Sequence, residues 1–341
     1  MLGTLMYAPG DVRVGERAEP TIIEPTDAII RTTATCICGS DLWPYRGFES
    51  LGADPTPMGH EYVGVIEAIG SDVSTLDVGD FVVGSFFASD NTCEICRSGY
   101  QTHCVQRQPG AASGGQAELI RIPLADGTLV ATPGQPGAEL VPSLLAASDV
   151  LGTGWFAAVA AEAGPGKTVA VVGDGAVGLL GILAAQQLGA PRIIAMSRHA
   201  DRQALAREFG ATDIVEERGD AGVAAIKELT DGLGAHSVIE AVGTQESMMQ
   251  AVRSTRAGGH VGFVGVSHDV SLPGNDLFFS GVHLHGGPAP VRRFLPELIK
   301  LIWDRTIDPG KVFDLTLPLE QAAEGYRAMD ERRAVKVLLS V

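Results

Sequence analysis

The sequence predicts an α/β protein with two domains, one of them built on a doubly wound parallel sheet. The chain has 341 residues, which is more than a single hydrophobic core usually holds. Its second half alternates short apolar runs with helical segments, and a glycine-rich turn joins the first of these runs to a helix. This alternation is typical of a parallel sheet covered by helices on both faces.

The first domain is predicted to be mainly β and to cover residues 1–145. Apolar segments such as AIIRTTATC, EYVGVIEAIG and DFVVGSFF are separated by turn signals that include GSD, VGD and PG, which is the pattern of short strands joined by tight turns. Residues 290–341 return to a strand, a helix and a strand. We expect this segment to rejoin the first domain.

The second domain, residues 146–289, is predicted to hold the six-stranded doubly wound sheet. We place its strands at TVAVVG, RIIAMS, DIV, SVIEAV, HVGFVGV and VHLHG. Helical segments lie between them, and two of these, VGLLGILAAQQLG and ADRQALAREFG, close with a glycine where a C-terminal cap belongs.

Composition and charge exclude several classes of protein. The chain carries 25 basic and 41 acidic residues, a net charge of −16, which argues against a nucleic-acid partner. The first residues lack a basic head and an apolar run of signal-peptide length, and the most apolar stretch, 168–190, contains an aspartate and several glycines, which argues against a membrane partner. The five cysteines are clustered and odd in number, so we expect metal binding or free thiols in a cytoplasmic protein.

The glycine-rich turn is predicted to bind a dinucleotide. It reads Gly173-Asp174-Gly175-Ala176-Val177-Gly178, follows the strand TVAVV and opens a helix, the context in which this motif is specific. The first glycine permits the tight turn and the second lets a pyrophosphate approach the backbone, while the helix N-terminus supplies N–H groups. The alternative is an ordinary strand–turn–helix in which the glycines serve only the turn and bind no dinucleotide.

The end of the second strand favours NADP(H) over NAD(H). An acidic residue there would bind the ribose 2′-hydroxyl of NAD, but the sequence has Ser197 and Arg198, with Arg202 one turn later. An arginine can pair with a 2′-phosphate, and a serine can donate a hydrogen bond to it. The alternative is that Ser197 caps the next helix and the arginines are solvated.

Three separate segments carry candidate metal ligands next to turns. They are Cys38-Gly39-Ser40-Asp41, Gly59-His60-Glu61, and Asp149 ahead of Gly152-Thr153-Gly154-Trp155. A thiolate, an imidazole and a carboxylate make three protein ligands, the number that leaves a catalytic zinc ion with an open position. The segments are far apart in the chain, so no single spacing establishes the site.

The order of these motifs resembles the zinc-dependent medium-chain alcohol dehydrogenases over essentially the whole length of the chain. The motifs CGSD, GHEYVGVIEAIG, VGD, the cysteine lobe, TGW and GDGAVG follow one another as in that family. The resemblance implies a Rossmann domain and a GroES-like catalytic domain. It also implies a small alcohol, aldehyde or ketone as substrate, and a homodimer or homotetramer.

The resemblance implies roles for the residues of the metal site. Cys38, His60 and Asp149 would bind the catalytic zinc, Asp149 standing where many relatives have cysteine. Glu61 would lie behind the metal, available for transient ligation, and Asp41 would hold the outer nitrogen of His60. For Asp149 the alternative is a helix cap before the TGW turn.

Three further residues are assigned by the same resemblance. With zinc lowering the pKa of the alcohol hydroxyl, Ser40 would take the proton and pass it toward the ribose hydroxyls. Thr153 would lie beside the nicotinamide, which exchanges the hydride. Lys336 would contact the pyrophosphate, with exposed solvation as the alternative.

The sequence departs from the family pattern three residues after Ser40. Many relatives have a histidine there that ends the proton relay, but this chain has Trp43, so the last member of the relay has no assignment. Trp43, with Trp155 and Phe48, suggests an apolar pocket wall suited to aromatic or medium aliphatic substrates. Ordinary core packing is the alternative.

A second, structural zinc ion is expected in the cysteine lobe. Cys93, Cys96 and Cys104 match three of the family's four ligands, and Asp90 stands where the fourth cysteine belongs. Zinc accepts carboxylate oxygen, so three cysteines and an aspartate can form a site. An empty lobe is the alternative.

These observations favour an NADP-linked, zinc-dependent alcohol dehydrogenase or aldehyde/ketone reductase. A zinc-independent enoyl or quinone reductase on the same scaffold is one alternative, but it would not need the three ligands and Glu61 together. A non-catalytic NADP-binding protein is another, and only Trp43 and Asp90 favour it. Zinc content and turnover distinguish the three.

Overall fold

The computed structural model describes residues 1–108 and 114–341, which divide into two compact units. The first consists of Met1–Gly152 together with Pro290–Val341, and the second is Thr153–Ala289. We call them the discontinuous unit and the inserted unit.

The N-terminal part of the discontinuous unit consists mainly of short strands. Its strands are β1 (Leu2–Ala8), β2 (Asp11–Glu16), β3 (Ala28–Ile37), β4 (Thr56–Pro57), β5 (Tyr62–Ile69), β6 (Phe81–Gly84), β7 (Leu119–Ile122) and β8 (Leu129–Ala131). Its helices are α1 (Leu42–Tyr45), α2 (Glu94–Arg97), α3 (Ala125–Thr128) and α4 (Val141–Ala147), and α5 (Val150–Ala160) follows them.

The inserted unit contains the predicted doubly wound sheet. Its strands are β9 (Thr168–Val172), β10 (Arg192–Met196), β11 (Asp213–Val215), β12 (Ala235–Glu240), β13 (Thr255–Phe263) and β14 (His283–Gly286). Its helices are α6 (Ala176–Gln187), α7 (Ala200–Glu208), α8 (Gly219–Glu228), α9 (Gln245–Ser254) and α10 (Gly274–Ser280). The strands pair in parallel in the order β11-β10-β9-β12-β13-β14. The strand order reverses beside β9, which is where sheets of this kind bind their ligands. The predicted fold class is confirmed.

The C-terminal part returns to the discontinuous unit. It consists of α11 (Val291–Trp303), β15 (Leu315–Pro318), α12 (Ala322–Asp330) and β16 (Val337–Ser340). Strand β16 pairs in parallel with β15 and antiparallel with β3, where Leu338 lies opposite Cys36. Within the described residues this makes a seven-stranded sheet in the order β15-β16-β3-β5-β6-β8, with β7 also paired to β3.

A helix must be both long and apolar enough to span a membrane. In the part of the chain that the structure describes, no single helix meets both conditions. Helices α4 and α5 do so only when they are taken together, with a bend of 49° between them.

Candidate metal and dinucleotide sites

The candidate metal centre lies where β3 ends and β5 begins. The two strands pair antiparallel, so the loop that carries Cys38 meets the loop that carries His60 and Glu61. Asp149 comes from the short link between α4 and α5. One ligand atom from each of these four residues lies within 4.8 Å of the others. The structure thus brings together the three predicted zinc ligands and Glu61, which the sequence separates by up to 111 positions.

The spacing and burial of these groups fit a zinc ion. Oδ2 of Asp149 lies 3.3 Å from Nε2 of His60 and 3.7 Å from Sγ of Cys38. Cys38 and Asp149 are buried, but the His60 side chain keeps 23% of its surface exposed. Sulfur, imidazole nitrogen and carboxylate oxygen are the donors that zinc takes in proteins.

The electrostatics of the centre also favour a bound cation. Burial, followed by the Glu61 and Asp149 carboxylates, raises the pKa of the Cys38 thiol. Burial by itself lowers the pKa of His60, but Asp41 and Cys38 outweigh it and bring that pKa well above its usual value. Oε2 of Glu61 is buried and has no hydrogen-bond partner among the described residues. Acidic groups therefore crowd one another here, and a divalent cation would relieve their repulsion.

Asp41 lies beside the outer ring nitrogen of His60. Its Oδ1 lies 3.4 Å from Nδ1 of His60, and its Oδ2 accepts hydrogen bonds from the backbone N–H of Cys38 (2.9 Å) and from Nε2 of Gln116 (3.3 Å). The Tyr326 hydroxyl donates to Oε1 of Gln116 at 3.2 Å. Gln116 and Tyr326 could not be predicted as part of this site, because they reach Asp41 through tertiary packing and belong to no local motif.

Lys336 is buried beside Glu61. It is 1% exposed, its Nζ lies 2.7 Å from Oε1 of Glu61, and it donates to the carbonyl of Ile37 at 3.2 Å. Burial alone lowers the pKa of Lys336, but Cys36 and Glu61 outweigh it and raise that pKa well above its usual value. The alternative of exposed solvation is therefore wrong, because Glu61 binds the ammonium group inside the discontinuous unit, and the contact with a pyrophosphate stays a prediction.

The two predicted catalytic hydroxyls lie in different units. Ser40 is half-buried in the loop between β3 and α1, two residues after Cys38. Thr153 is 8% exposed in α5, where the inserted unit begins. Their roles toward substrate and nicotinamide stay predictions.

The aromatic residues proposed as a pocket wall have different environments. Trp43 packs edge-on against Phe48 with ring centroids 5.4 Å apart, and Phe48 is 67% exposed. Trp155 is buried, as expected of a core side chain. Phe86 was not predicted as part of the site, and its ring lies edge-on to the imidazole of His60 with the centroids 6.1 Å apart. Nothing in DFVVGSFF connects this ring to a ligand 26 positions away.

The cysteine lobe forms a second group of candidate ligands. Ligand atoms of Asp90, Cys93, Cys96 and Cys104 lie within 4.8 Å of one another, and all three cysteines are free thiols. Backbone amides donate to the sulfurs of Cys93 and Cys104 at 3.3–3.4 Å. Burial raises the pKa of Asp90, but hydrogen bonds from the backbone of Thr92 and Cys93 outweigh it and bring the pKa to about 2. The ionised carboxylate therefore fits a zinc site with three cysteines and one aspartate.

The glycine-rich turn has the geometry that its motif predicts. Gly173 has φ +120°, and a Cβ at Gly178 would lie 2.0 Å from the carbonyl oxygen of Gly173, so neither position accepts a side chain. Gly175 is the N-cap of α6, and Ala176 and Val177 form its first turn. The N–H groups at this helix N-terminus suit a pyrophosphate.

An aspartate inside the motif contacts the residues predicted to select the cofactor. Oγ of Ser197 donates to Oδ2 of Asp174 at 2.7 Å, and Nη1 of Arg202 lies 3.2 Å from Oδ1 of the same carboxylate. Arg198 is exposed just beyond the end of β10. Asp174 is visible in the sequence as the second residue of the motif. Its contact with Ser197 could not be predicted, because it depends on how β9 and β10 pair.

Comparisons with known proteins give family matches in both halves of the chain. Residues 24–133 match the family model of the alcohol dehydrogenase GroES-like domain, and residues 176–304 match that of the zinc-binding dehydrogenases. A Mycobacterium tuberculosis protein named as a probable zinc-binding alcohol dehydrogenase is 37% identical over 333 residues, which are 96% of this chain and 84% of the relative.

Solved structures resemble the chain over its full length. The alcohol dehydrogenase TADH from Thermus sp. ATN1 has a TM-score of 0.89 and 32% identity, with 100% of both chains covered. A Sinorhizobium meliloti 1021 protein crystallised bound to NADP has a TM-score of 0.84 and 25% identity, with 100% of this chain and 99% of that chain covered.

Proposed function

Because the chain belongs to the zinc-type alcohol dehydrogenases of the medium-chain family, we propose that it interconverts an alcohol with an aldehyde or ketone, using zinc and NADP(H). The observation that carries this proposal is the convergence of the donor atoms of Cys38, His60, Glu61 and Asp149 within 4.8 Å. A zinc-independent reductase on the same scaffold would have no use for that convergence.

The residues of the metal centre would act together on the substrate oxygen. Zinc, when bound by Cys38, His60 and Asp149, supplies Lewis acidity. Asp41 fixes the ring orientation of His60 through Nδ1, which keeps Nε2 directed at the metal position. Ser40, two residues from Cys38, would take the proton of the substrate hydroxyl and pass its own proton toward the ribose hydroxyls of the dinucleotide. Thr153 would contact the nicotinamide of the dinucleotide, whose pyrophosphate the turn Gly173–Gly178 would bind.

The substrate we propose has an aromatic or medium aliphatic group. The Phe86 ring lies edge-on to the imidazole of His60, and the half-buried Trp43 packs against the exposed Phe48 close in sequence to Ser40. Apolar walls beside a few polar groups favour such substrates over polyols.

Extraction of the metal tests the proposed reaction. We expect NADPH oxidation with benzaldehyde or an aliphatic aldehyde to stop after treatment with a chelator and to return when zinc is added. Turnover that survives removal of all zinc would contradict the proposal and favour the zinc-independent reductases. A protein that holds zinc and NADPH but turns over none of the aldehydes, ketones or alcohols tried would favour the non-catalytic alternative.

The preference for NADP rests on charge at the end of β10. Arg198 is exposed there, and the negative charge of Asp174 is balanced by Arg202. Ser197 is buried and its hydroxyl already donates to Asp174, so Arg198 is the residue that would bind a 2′-phosphate.

A double substitution tests the cofactor preference. We expect Ser197→Gly with Arg198→Asp to lower the ratio of kcat/KM for NADPH over NADH by about tenfold or more, because a charged hydrogen bond is lost and a repulsive charge is introduced. The exposed residue Arg207 offers a control, since Arg207→Gln removes a positive charge elsewhere on α7. An unchanged ratio in the double variant would exclude these residues from selecting the cofactor.

We also propose that the cysteine lobe binds a second zinc ion through Asp90. The Asp90→Ala variant should lose about one zinc per chain and unfold at a lower temperature, while Asp90→Cys should keep the metal because thiolate is a ligand of zinc. Zinc content and thermal unfolding measure both effects. Full zinc content in Asp90→Ala would contradict the proposed ligand.

A homodimer or homotetramer is proposed from the surface of the inserted unit. Strand β14 is the last strand of its sheet and has one unpaired edge within that unit. Phe278 and Phe279 on α10 are each 79% exposed. Unpaired edges and exposed aromatic side chains are surfaces that proteins usually cover.

We propose a cytoplasmic location from the thiols. All five cysteines are unlinked, and the candidate ligands among them must stay reduced to bind zinc. A reducing compartment maintains that state.

A further inference from the structure

A cavity on the discontinuous unit is lined by arginine side chains. It has a volume of about 390 Å³ and lies between the cysteine lobe and the first turn of α11. Arg97, Arg292 and Arg293 line it together with amide side chains, and the lining residues that the structure describes include no aspartate or glutamate. In a chain with a net charge of −16, such a concentration of positive charge needs a physical reason.

Arg292 carries the clearest sign of a missing partner. Its Nε is buried and has no hydrogen-bond partner among the described residues, and its Nη2 donates to the carbonyl of Asp126 at a long 3.4 Å. Burial lowers the pKa of this guanidinium. Removing a charged donor from water without a partner is unfavourable, so an anion in the cavity would supply what the chain does not.

Arg97 and Arg293 make contacts that hold their guanidinium groups in place but do not neutralise their positive charge. Arg97 donates to the carbonyl of Thr92, and the Arg293 guanidinium lies 5.1 Å from the centre of the Phe294 ring. In the described part of the chain none of the three forms an ion pair, although most other arginines pair with a carboxylate.

The first turn of α11 adds to the positive potential. Arg292 and Arg293 lie in that turn, which contains no acidic residue. The N-terminus of a helix of 13 residues carries partial positive charge that attracts anions, while the N–H of Arg293 already donates to the carbonyl of Pro290.

We propose that this cavity binds a phosphate group, either as free phosphate or as part of a small organic ester. Guanidinium groups bind phosphate oxygens through paired N–H donors, a geometry that lysine does not offer. The volume exceeds that of a phosphate and lies within the usual range for small-ligand pockets, so an ester with a short organic group also fits. The cavity shares no residue with the glycine-rich turn, and phosphate would therefore bind here while a dinucleotide occupies that turn.

Calorimetric titration of the zinc-loaded full chain tests this site. The protein is first saturated with NADP⁺ so that the glycine-rich turn is occupied, and is then titrated at low salt with inorganic phosphate, glycerol phosphate and malonate. We expect saturable binding of phosphate to one site per chain. The affinity should fall about tenfold or more in Arg292→Gln and in Arg293→Gln, and should not change in Arg332→Gln, which removes an exposed arginine elsewhere on the same unit.

The comparison of ligands and variants decides the outcome. Tighter binding of glycerol phosphate than of phosphate would identify an organic ester as the ligand, and equal or weaker binding would identify free phosphate. Absence of saturable phosphate binding, equal affinity in the cavity variants and the wild type, or binding of malonate alone would overturn the proposal. Zinc content and thermal unfolding report whether each variant is folded, and Arg293, which is exposed, keeps the test valid if Arg292→Gln does not fold.

Discussion

The Asp149→Ala variant should lose the zinc ion of the catalytic centre and with it about 100-fold or more of kcat/KM. One carboxylate oxygen, Oδ2, lies close to both Nε2 of His60 and Sγ of Cys38. Its removal therefore takes away the proposed ligand that links these two groups. Loss of a direct ligand should exceed the 10–100-fold effects that follow loss of groups behind the ligands. Metal analysis and steady-state kinetics measure the two effects.

The Asp149→Cys variant is the matched control for this prediction. A thiolate binds zinc as well as a carboxylate does, so this variant should keep the metal and recover much of the activity that alanine loses. If Asp149→Ala retained both full zinc content and full activity, Asp149 would not be a ligand. A loss of zinc in Asp149→Ala but not in Asp149→Cys would establish ligation, since folding defects alone would not follow ligand chemistry.

The Lys336→Met variant should reduce the free energy of unfolding by about 3–5 kcal/mol, because it leaves a buried carboxylate without its counter-ion. Lys336 and Glu61 are 1% and 0% exposed, and their charged atoms lie 2.7 Å apart. Methionine fills a similar volume, so lost packing contributes little. Urea unfolding followed by tryptophan fluorescence measures the change.

Two further variants separate the ion pair from general effects of losing a lysine. Lys300→Met removes an ammonium whose side chain is 73% exposed and which pairs with Asp304, and should change the free energy of unfolding by no more than about 1 kcal/mol. The double variant Lys336→Met with Glu61→Gln should be more stable than Lys336→Met alone, because no charge stays buried without a partner. Equal stability of Lys336→Met and the wild type would show that Glu61 does not need the ammonium.

The architecture was predictable because it follows from local periodicity. Each strand of the parallel sheet is a short apolar run bounded by turn residues, and each helix between strands repeats its apolar positions at helical spacing. The glycine-rich turn was predictable for a similar reason, since Gly173 and Gly178 must lack a Cβ wherever β9 passes into α6.

The metal centre was predictable only in part. Cys38, His60 and Asp149 stand in segments that resemble a family, but their convergence depends on the pairing of β3 with β5 and on the path of the chain after α4. Lys336 and Gln116 had no local signal, because burial of a lysine or a glutamine is decided by the carboxylate that tertiary structure places beside it.

The antiparallel pairing of β16 with β3 has a consequence for synthesis on the ribosome. Lys336 and Ile37, which meet through it, are 299 positions apart, and the whole inserted unit is translated between them. At typical elongation rates that interval is on the order of half a minute. During this time the second half of β3 presents an unpaired edge to other nascent chains and to chaperones, while Thr153–Ala289 can fold from contiguous sequence. The unit that carries the metal centre is therefore the last to close and the more exposed to misassembly in the cell.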